Sequence, residues 1–243
     1  MIIEILKYAL VIVCGYLIGN ISFARIISRC KKQDITKQGS GNPGTMNMLR
    51  TFGFKLGFLT LVLDALKGAV ASLIGFLVFG ADMSSIESVI GLYVGGLSVV
   101  LGHNFPVFYK FKGGKGVACI LGIFAFANPL WSLVAFLIAF VYLLIFDYGA
   151  VASFIFITIL TVLETIKYFD SIVIVCLVLV LFFLTMFMHR TNIARLLTGK
   201  ERKVNLKSAF KKKPKNEDDT TSSVWYAVYG TKFSISPISD ENK

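Results

Sequence analysis

Two glycine-rich stretches of the sequence carry side chains that can bind phosphate oxygens. The first reads GSGNPGTMNMLR and offers neutral hydrogen-bonding groups at Ser40, Asn42 and Asn47, with Arg50 at its end. Glycines such as Gly44 let the backbone approach a ligand closely, and free N–H groups at the start of a helix attract an anion. A guanidinium adds a forked donor suited to phosphate. The stretch therefore predicts a phosphate site, although a polar turn between two helices has the same composition.

The spacing of Gly39, Gly41 and Gly44 also matches the G-x-G-x-x-G pattern of dinucleotide-binding folds. That fingerprint requires a preceding strand, a following helix and a parallel sheet. Here a long apolar segment precedes the glycines, and Pro43 interrupts them. We therefore do not expect a dinucleotide site.

The second stretch reads GHNFPVFYKFKGGKGVA. Gly113 and Gly114 free the backbone beside Lys115, whose ammonium can contact a phosphate as a point charge. The pattern differs from a Walker A sequence, which has another glycine spacing and a Ser or Thr after the lysine. The proline and phenylalanines predict a segment that dips into the membrane interface rather than hanging in water, and protein or a water-filled cavity must then satisfy its backbone. We interpret Lys110 and Lys112 as positive anchors at the membrane surface.

A charged pair lies inside an apolar segment. Asp64 and Lys67 are three residues apart, so they share one face of a helix. A charge near the bilayer centre costs about 2.5–3.5 kcal/mol, and an ion pair offsets much of that cost. The pair is therefore either purely structural or a support that orients a ligand-binding residue.

The two histidines of the chain both fall beside basic stretches at the ends of apolar segments. His103 opens the second glycine-rich stretch, and His189 follows the last apolar segment. Asn192 lies three residues after His189, so both can face one cavity. Each histidine is either a hydrogen-bonded anchor or a proton-transfer group, and their shared location favours the second role.

This inventory suits an anionic, phosphorylated substrate better than a metal. The sequence shows no Asp, Glu and His cluster with metal-ligand spacing, and no G-x-S-x-G nucleophile elbow. We therefore expect neither a metal nor a cofactor.

The elements that position these residues are predicted to be membrane helices. Of the 243 residues, 56% are apolar and 16% are charged, whereas soluble proteins carry about 25% charged residues. The net charge of +11 lies mainly between apolar segments and in the C-terminal tail, as the positive-inside rule describes. The class predicted is an all-α polytopic integral membrane protein with no nucleic-acid partner.

We predict a seven-helix bundle, with short or re-entrant helices on the cytoplasmic side. The predicted segments are 5–28, 55–80, 86–101, 116–127, 130–146, 150–166 and 171–188. The third and fourth are short, so five or six full spans are an alternative. Basic residues cluster at 30–37, at 109–115 and after 188, whereas 81–87 and 164–170 lean acidic. This bias predicts an external N-terminus and a cytoplasmic C-terminus in the cell membrane. Residues 1–199 form the predicted membrane domain, and 200–243 form a basic cytoplasmic tail that we expect to be flexible.

The polar motifs resemble the signature regions of the bacterial acyl-phosphate-dependent glycerol-3-phosphate acyltransferases, the PlsY family. The similar regions are GSGNPGTMNMLR, DALKGA, GHNFPVFYKFKGGKGVA and HRTNIARLLTG, in that order within residues 5–203. The resemblance implies a seven-helix fold with a site that opens to the cytoplasm. It also implies transfer of a fatty acyl group from acyl phosphate to the 1-hydroxyl of sn-glycerol 3-phosphate, without coenzyme A or acyl carrier protein.

The motifs and the resemblance together imply roles for individual residues. His189, Lys115 and Ser40 are the expected catalytic residues. The residues expected to bind substrate or phosphate are Arg50, Asn42, Gly44, Asn47, His103, Gly113, Gly114, Asn192 and Ser153. The partners expected are acyl phosphate, glycerol 3-phosphate and membrane lipid, with the protein as a monomer.

One stretch departs from the pattern of that family. The family usually has Arg-Tyr-x-Ser-x-x-Ser at the start of its sixth helix, whereas this chain has DYGAVAS. Asp147 replaces the basic residue, Ala150 replaces a substrate-contacting serine, and Ser153 keeps its hydroxyl. We expect this departure to change a substrate contact but not the class of reaction.

Two alternatives stay open at the level of sequence. The proton of the acceptor hydroxyl could pass to His189 or to a phosphate oxygen of the substrate. A transporter or channel for organic phosphates could use the same basic loops as a selectivity site. Transporters often carry inverted repeats and binding groups that serve both faces, and neither feature is evident in this sequence.

Overall fold

The computed structural model describes residues 2–206, and these residues form α-helices and connecting loops without a strand. The helices of this part are α1 (Ile2–Asn20), α2 (Phe23–Cys30), α3 (Thr45–Phe52), α4 (Phe54–Val78), α5 (Ile86–Asn104), α6 (Val117–Ala127), α7 (Pro129–Phe146), α8 (Gly149–Lys167), α9 (Ile172–Met188) and α10 (Arg190–Leu197). Single-turn 3-10 helices lie at Ile35–Lys37 and Val107–Tyr109. Most of the predicted tail, 207–243, lies outside the described residues.

Five helical segments between residues 2 and 206 are long and apolar enough to cross a membrane. They are Ile2–Cys30, Phe54–Val78, Ile86–Tyr109, Pro129–Phe146 and Gly149–Lys167. Helices α9 and α10 pass the same test as a pair, with a bend of 58° between them, and make a sixth candidate. Helix α6 is apolar but has 11 residues, so at about 1.5 Å per residue it covers roughly half of the hydrocarbon core. The prediction of an all-helical, polytopic membrane protein is confirmed, with five or six candidate spans.

The structure divides the predicted segment 5–28 into two helices. The helical hydrogen-bonding pattern breaks at Ile21 and Ser22, and α2 begins at Phe23. The guanidinium of Arg25 on α2 lies 4.4 Å from the ring centre of Tyr109 and donates a hydrogen bond to the carbonyl of Lys112. Helix α2 thereby supports the second glycine-rich stretch from the side.

Helix α5 is the most enclosed of the candidate spans, and it packs against α1, α4, α6 and α9. Small residues allow these helices to approach closely, as is common inside membranes. A Cβ atom on Gly95 of α5 would collide with the carbonyl of Ala71 on α4. A Cβ atom on Gly122 of α6 would likewise collide with the carbonyl of Ala65 on α4. Helices α4, α5 and α6 therefore form a tightly packed unit.

A polar cluster closes the C-terminal end of α6, the end remote from Lys115. The backbone N–H of Asn128 donates to the carbonyl of Phe124, and the Asn128 amide donates to the buried carboxylate of Glu164. The hydroxyl of Tyr93 donates to the other oxygen of that carboxylate at 2.6 Å. These bonds satisfy polar groups where the short helix ends inside the bundle.

Candidate active site

The first glycine-rich loop is folded around the buried side chain of Asn47. The Asn47 amide donates to the carbonyls of Ile35 (3.2 Å) and Gln38 (3.0 Å), and its Oδ1 accepts from the backbone N–H of Ser40 (2.9 Å). Gly41 has a left-handed φ of +72°, which favours glycine. Because the backbone occupies these groups of Asn47, this residue acts on the site by fixing the shape of the loop.

Arg50 lies on α3, one turn beyond the loop, and is tied to the segment that follows α10. Its Nε donates to the carbonyl of Lys203 and its Nη2 to the carbonyl of Arg202, each at 3.2 Å. Burial lowers the pKa of the guanidinium from its ordinary value, with Arg202 and Arg195 acting in the same direction and Glu201 opposing them. The backbone carbonyls therefore fix the direction of a cation that borders the cavity.

The second glycine-rich stretch turns back against the end of α5. Its Gly113 and Gly114 donate backbone hydrogen bonds to the carbonyls of Asn104 (3.1 Å) and His103 (3.0 Å). Gly116 then starts α6 with a left-handed φ of +81°. Lys115 lies between these fixed points and donates to Oδ1 of Asn192. The two backbone bonds fix the stretch against the end of α5.

The pKa of the Lys115 ammonium is lower than that of an ordinary lysine. Burial is the main cause that lowers the pKa of Lys115 to about 8. Arg195 and Arg50 lower it further, and the carboxylate of Glu201 opposes them. Three cations thus share one carboxylate in a partly enclosed place, and such an arrangement attracts an anion.

The bend between α9 and α10 carries His189 and Asn192. The Nδ1 atom of His189 lies 2.9 Å from the carbonyl of Thr185, and the ring meets Phe154 edge to face. Because a carbonyl oxygen only accepts, Nδ1 carries the proton in the neutral imidazole, and Nε2 keeps its lone pair. Asn192 donates from Nδ2 to Glu201 at 2.7 Å and presents its Oδ1 to Lys115.

Asp64, Lys67 and His103 form a buried polar group beneath these loops. The ammonium of Lys67 lies 2.9 Å from Asp64 Oδ1 and 2.8 Å from His103 Nδ1, and it also donates to the carbonyl of Ile21 at 2.7 Å. The potential ligand atoms of Asp64, His103 and Cys119 all lie within 4.8 Å of one another. Within residues 2–206 this is the group that could hold a metal, but the Lys67 ammonium already provides a cation there. The predicted contact between Asp64 and Lys67 is present.

One cavity of about 580 Å³ brings most of the predicted residues together. Those that line it are Ser40, Asn42, Gly44, Asn47, Arg50, Asp64, His103, Gly113, Lys115, Ser153, His189 and Asn192. A second part of its wall is apolar and is formed by Phe54, Phe58, Leu61, Leu121, Phe136, Phe140, Leu143 and Phe156. The cavity can therefore hold a molecule with an anionic end and a long apolar end.

The structure does not place Gly114 or Lys67 in the cavity wall. Gly114 instead makes room for the imidazole of His103, since a Cβ atom at this position would collide with Nε2. Lys67 instead contacts Nδ1 of His103 at 2.8 Å, so it lies next to a wall residue without lining the cavity. Ala150 lines the cavity where the resembling family has a serine, and Ser153 donates its hydroxyl to the carbonyl of Gly149 at 2.9 Å.

The wall residues that the sequence analysis did not assign to the site include the charged residues Arg190, Arg195, Glu201 and Arg202. Glu201 and Arg202 fall in the region predicted as a flexible tail from residue 200. The structure differs there, because 201–206 pack against the bundle and Val204 is fully buried. The sequence signal that could have revealed this segment is Glu201, a lone acidic residue among lysines and arginines two positions after Gly199.

A family model described as glycerol-3-phosphate acyltransferase matches residues 9–199. The chain belongs to this family. A glycerol-3-phosphate acyltransferase of Thermoanaerobacter pseudethanolicus is 38% identical over 200 residues, which cover 82% of this chain and 96% of that protein. Glycerol-3-phosphate acyltransferase 2 of Bacillus anthracis is 38% identical over 196 residues, which cover 80% of this chain and 98% of that protein.

The fold also matches crystal structures of PlsY (YgiH), an integral membrane glycerol 3-phosphate acyltransferase. The glycerol 3-phosphate form superimposes with a TM-score of 0.73 at 35% identity, over 81% of this chain and 94% of that one. The lysophosphatidic acid form gives a TM-score of 0.73 at 33% identity, over 84% of this chain and 99% of that one. The acyltransferase fold therefore extends over most of the described residues.

Proposed function

We propose that this chain transfers a fatty acyl group from acyl phosphate to the 1-hydroxyl of sn-glycerol 3-phosphate. The products are 1-acyl-sn-glycerol 3-phosphate and inorganic phosphate. The observation that carries the proposal is the single cavity that joins the cations Arg50 and Lys115 to a wall of phenylalanines. Its two halves match the two halves of an acyl phosphate and of the lysophosphatidic acid product. Membership of the glycerol-3-phosphate acyltransferase family supports the same reaction.

The polar half of the cavity binds the phosphoryl groups. Lys115 supplies a point charge, Arg50 supplies a forked cation, and the loop shaped by Asn47 supplies the hydroxyl of Ser40. Donors held by loops and helices need no reorganisation when charge moves onto the carbonyl oxygen and the departing phosphate. Ser40, His189 and Lys115 are therefore the proposed catalytic residues, with Arg50 as a phosphate ligand.

The reaction requires orientation more than a covalent enzyme intermediate. The acceptor oxygen attacks the acyl carbonyl, the carbon–oxygen bond to phosphate breaks, and phosphate leaves with the electron pair. Correct placement of two reactants contributes about 7–11 kcal/mol. The hydroxyl proton passes either to Nε2 of His189, which keeps its lone pair, or to a phosphate oxygen of the substrate.

We further propose seven crossings of the cell membrane, with α6 as the short fourth one and the site on the cytoplasmic face. The loops that border the cavity, at 38–44, 105–116 and 189–206, then lie on the same side of the membrane. Two of the basic clusters, at 30–37 and 109–115, share that side, in agreement with the positive-inside rule. The N-terminus then lies outside the cell.

The direct test is release of phosphate from palmitoyl phosphate by the full chain in detergent. Phosphate release should require glycerol 3-phosphate. Mass spectrometry should detect 1-palmitoyl-sn-glycerol 3-phosphate as the second product. Lys115→Ala and Arg50→Ala should each remove most turnover, whereas Lys110→Ala, at an exposed loop position, should retain it. Full turnover of the Lys115 variant would exclude that residue from the site, and no dependence on glycerol 3-phosphate would overturn the proposed reaction.

A further inference from the structure

Residues 201–206, which we name the C-terminal strap, return from α10 to the cavity. Gly199 has a left-handed φ of +67°, and the chain reverses there, with Lys200 donating its N–H to the carbonyl of Arg195 at 2.7 Å. Val204 and Leu206 are then buried at 1% and 5% exposure. The strap is therefore packed structure that lies beyond the last membrane-spanning helix.

Asp147, at the junction of α7 and α8, holds the strap by three hydrogen bonds. Its carbonyl accepts from the N–H of Val204 at 2.8 Å. Its carboxylate accepts from the N–H groups of Asn205 (2.9 Å) and Leu206 (3.2 Å). Hydrogen bonds from backbone N–H groups to a carboxylate are stronger than neutral ones. The acidic residue that replaces a basic one in the DYGAVAS stretch thus has a specific partner in this chain.

The strap contacts helix α3 and the first glycine-rich loop of the phosphate-binding half. The carbonyls of Arg202 and Lys203 accept from Arg50, and the guanidinium of Arg202 donates to the carbonyl of Gly39 at 2.9 Å. These bonds join the strap to α3 and to the first glycine-rich loop. A displacement of the strap would therefore release Arg50 and the loop together.

Glu201 occupies the centre of the cationic group, and its side chain is 3% exposed. Its Oε1 accepts from Nδ2 of Asn192 at 2.7 Å, and its Oε2 pairs with Nε of Arg195 at 2.9 Å. An amide has distinct donor and acceptor ends. Because Glu201 takes the donor end of Asn192, the acceptor end is left to Lys115. Glu201 thus offsets the repulsion among the cations and fixes the direction of the lysine.

We propose that the C-terminal strap is a part of the substrate-phosphate site, with Glu201 and Asp147 as positioning residues. Asp147 holds the strap in place, and the strap orients Arg50, Asn192 and Lys115 for the phosphoryl oxygens. This inference rests on the proposed acyl transfer and assigns two residues to it. Neither residue needs to touch the substrate.

The first test compares Asp147→Ala with Asp170→Ala in the full chain. Asp170 is an exposed acidic residue in the turn between α8 and α9 and serves as the matched control. The Asp147 variant should lower kcat/KM for glycerol 3-phosphate at least tenfold, mainly through KM, while the control should match the wild type. Asp147→Asn keeps one side-chain acceptor, so the decrease in its kcat/KM should be smaller than that of the alanine variant. The asparagine variant serves as the test if the alanine variant does not fold. Unchanged KM in a folded Asp147 variant would overturn the role of the strap.

The second test measures kcat/KM as a function of pH for Glu201→Gln. If Glu201 had a merely structural role, its substitution would not shift this pH profile. The charged and titratable groups that face Lys115 are Glu201 and Arg195, together with Arg50 and His189. The carboxylate stabilises the charged ammonium, so its removal should move the alkaline limb of kcat/KM to lower pH than in the wild type. Glu201→Asp keeps the charge and should largely restore the limb.

Controls for the Glu201 test separate the possible failures. Glu87→Gln, at an exposed position on α5, should leave the profile unchanged, and thermal unfolding in detergent should report whether each variant is folded. If Glu201→Gln keeps the wild-type kcat/KM and the wild-type position of the alkaline limb, the positioning role is rejected. If wild-type protein releases no phosphate in response to glycerol 3-phosphate, the proposed reaction itself fails. If the wild type turns over and all strap variants match it, only this inference fails.

Discussion

Raising the pH through 8 should remove the charge of Lys115 and with it most turnover. Burial is the main cause that lowers the pKa of this ammonium to about 8, and Arg195 and Arg50 add to the effect. A lysine is charged below its pKa, so activity that needs the ammonium is present at neutral pH and falls as the pH rises. One pH unit above the pKa, about a tenth of the molecules keep the charge, and kcat/KM should fall about tenfold per unit from there.

The assay is phosphate release from palmitoyl phosphate with limiting glycerol 3-phosphate, from about pH 6 to about pH 10, with spontaneous hydrolysis subtracted. The profile of kcat/KM reports the free enzyme, whereas a bound phosphate dianion raises the pKa of Lys115, so the limb of kcat should lie at higher pH. Lys115→Arg keeps its charge throughout this range, so the limb should disappear even though the turnover is lower. Lys110→Arg is the matched control and should keep the wild-type limb. Persistence of the limb in Lys115→Arg, or a flat wild-type profile, would refute the reasoning.

Three further substitutions test other parts of the site and the bundle. His189→Gln should lower kcat at least tenfold if Nε2 accepts the proton, whereas an unchanged kcat would assign that task to a substrate phosphate. Asn47→Ala removes three hydrogen bonds worth about 0.5–1.5 kcal/mol each and should raise KM for glycerol 3-phosphate; a wild-type KM would contradict the loop role. Gly122→Val places an isopropyl group against the backbone of α4, where overpacking costs about 1–3 kcal/mol or more. It should lower the unfolding temperature in detergent, whereas Ala125→Val, at an exposed position on the same helix, should not.

The membrane class and much of the cavity wall could be predicted because their signals are local. Apolar runs identify the spans, and the three-residue spacing of Asp64 and Lys67 places both on one face, where their charged atoms lie 2.9 Å apart. The composition of the two glycine-rich stretches identified them as candidate phosphate loops. Arg50 and Lys115 from these stretches both line the same cavity. Local patterns therefore sufficed where one helix turn or one loop determines the geometry.

The features that were missed depend on contacts between distant parts of the chain. Helix α3 lies inside a stretch interpreted as a loop, because glycines and a proline dominate the residues before it. The strap looks like a charged tail, since nothing near Glu201 in the sequence reveals that Asp147 holds the next residues in place. The helix break at Ile21 and the role of Gly114 beside His103 are likewise set by tertiary packing.

The strap also separates two requirements of the enzyme. Within residues 2–206, the candidate membrane spans all precede residue 198, whereas the carbonyls that hold Arg50 belong to Arg202 and Lys203. A chain that ended before the strap would therefore keep these candidate spans and lose the carbonyls that hold Arg50. Entry into the membrane and completion of the cavity thus depend on different parts of the sequence.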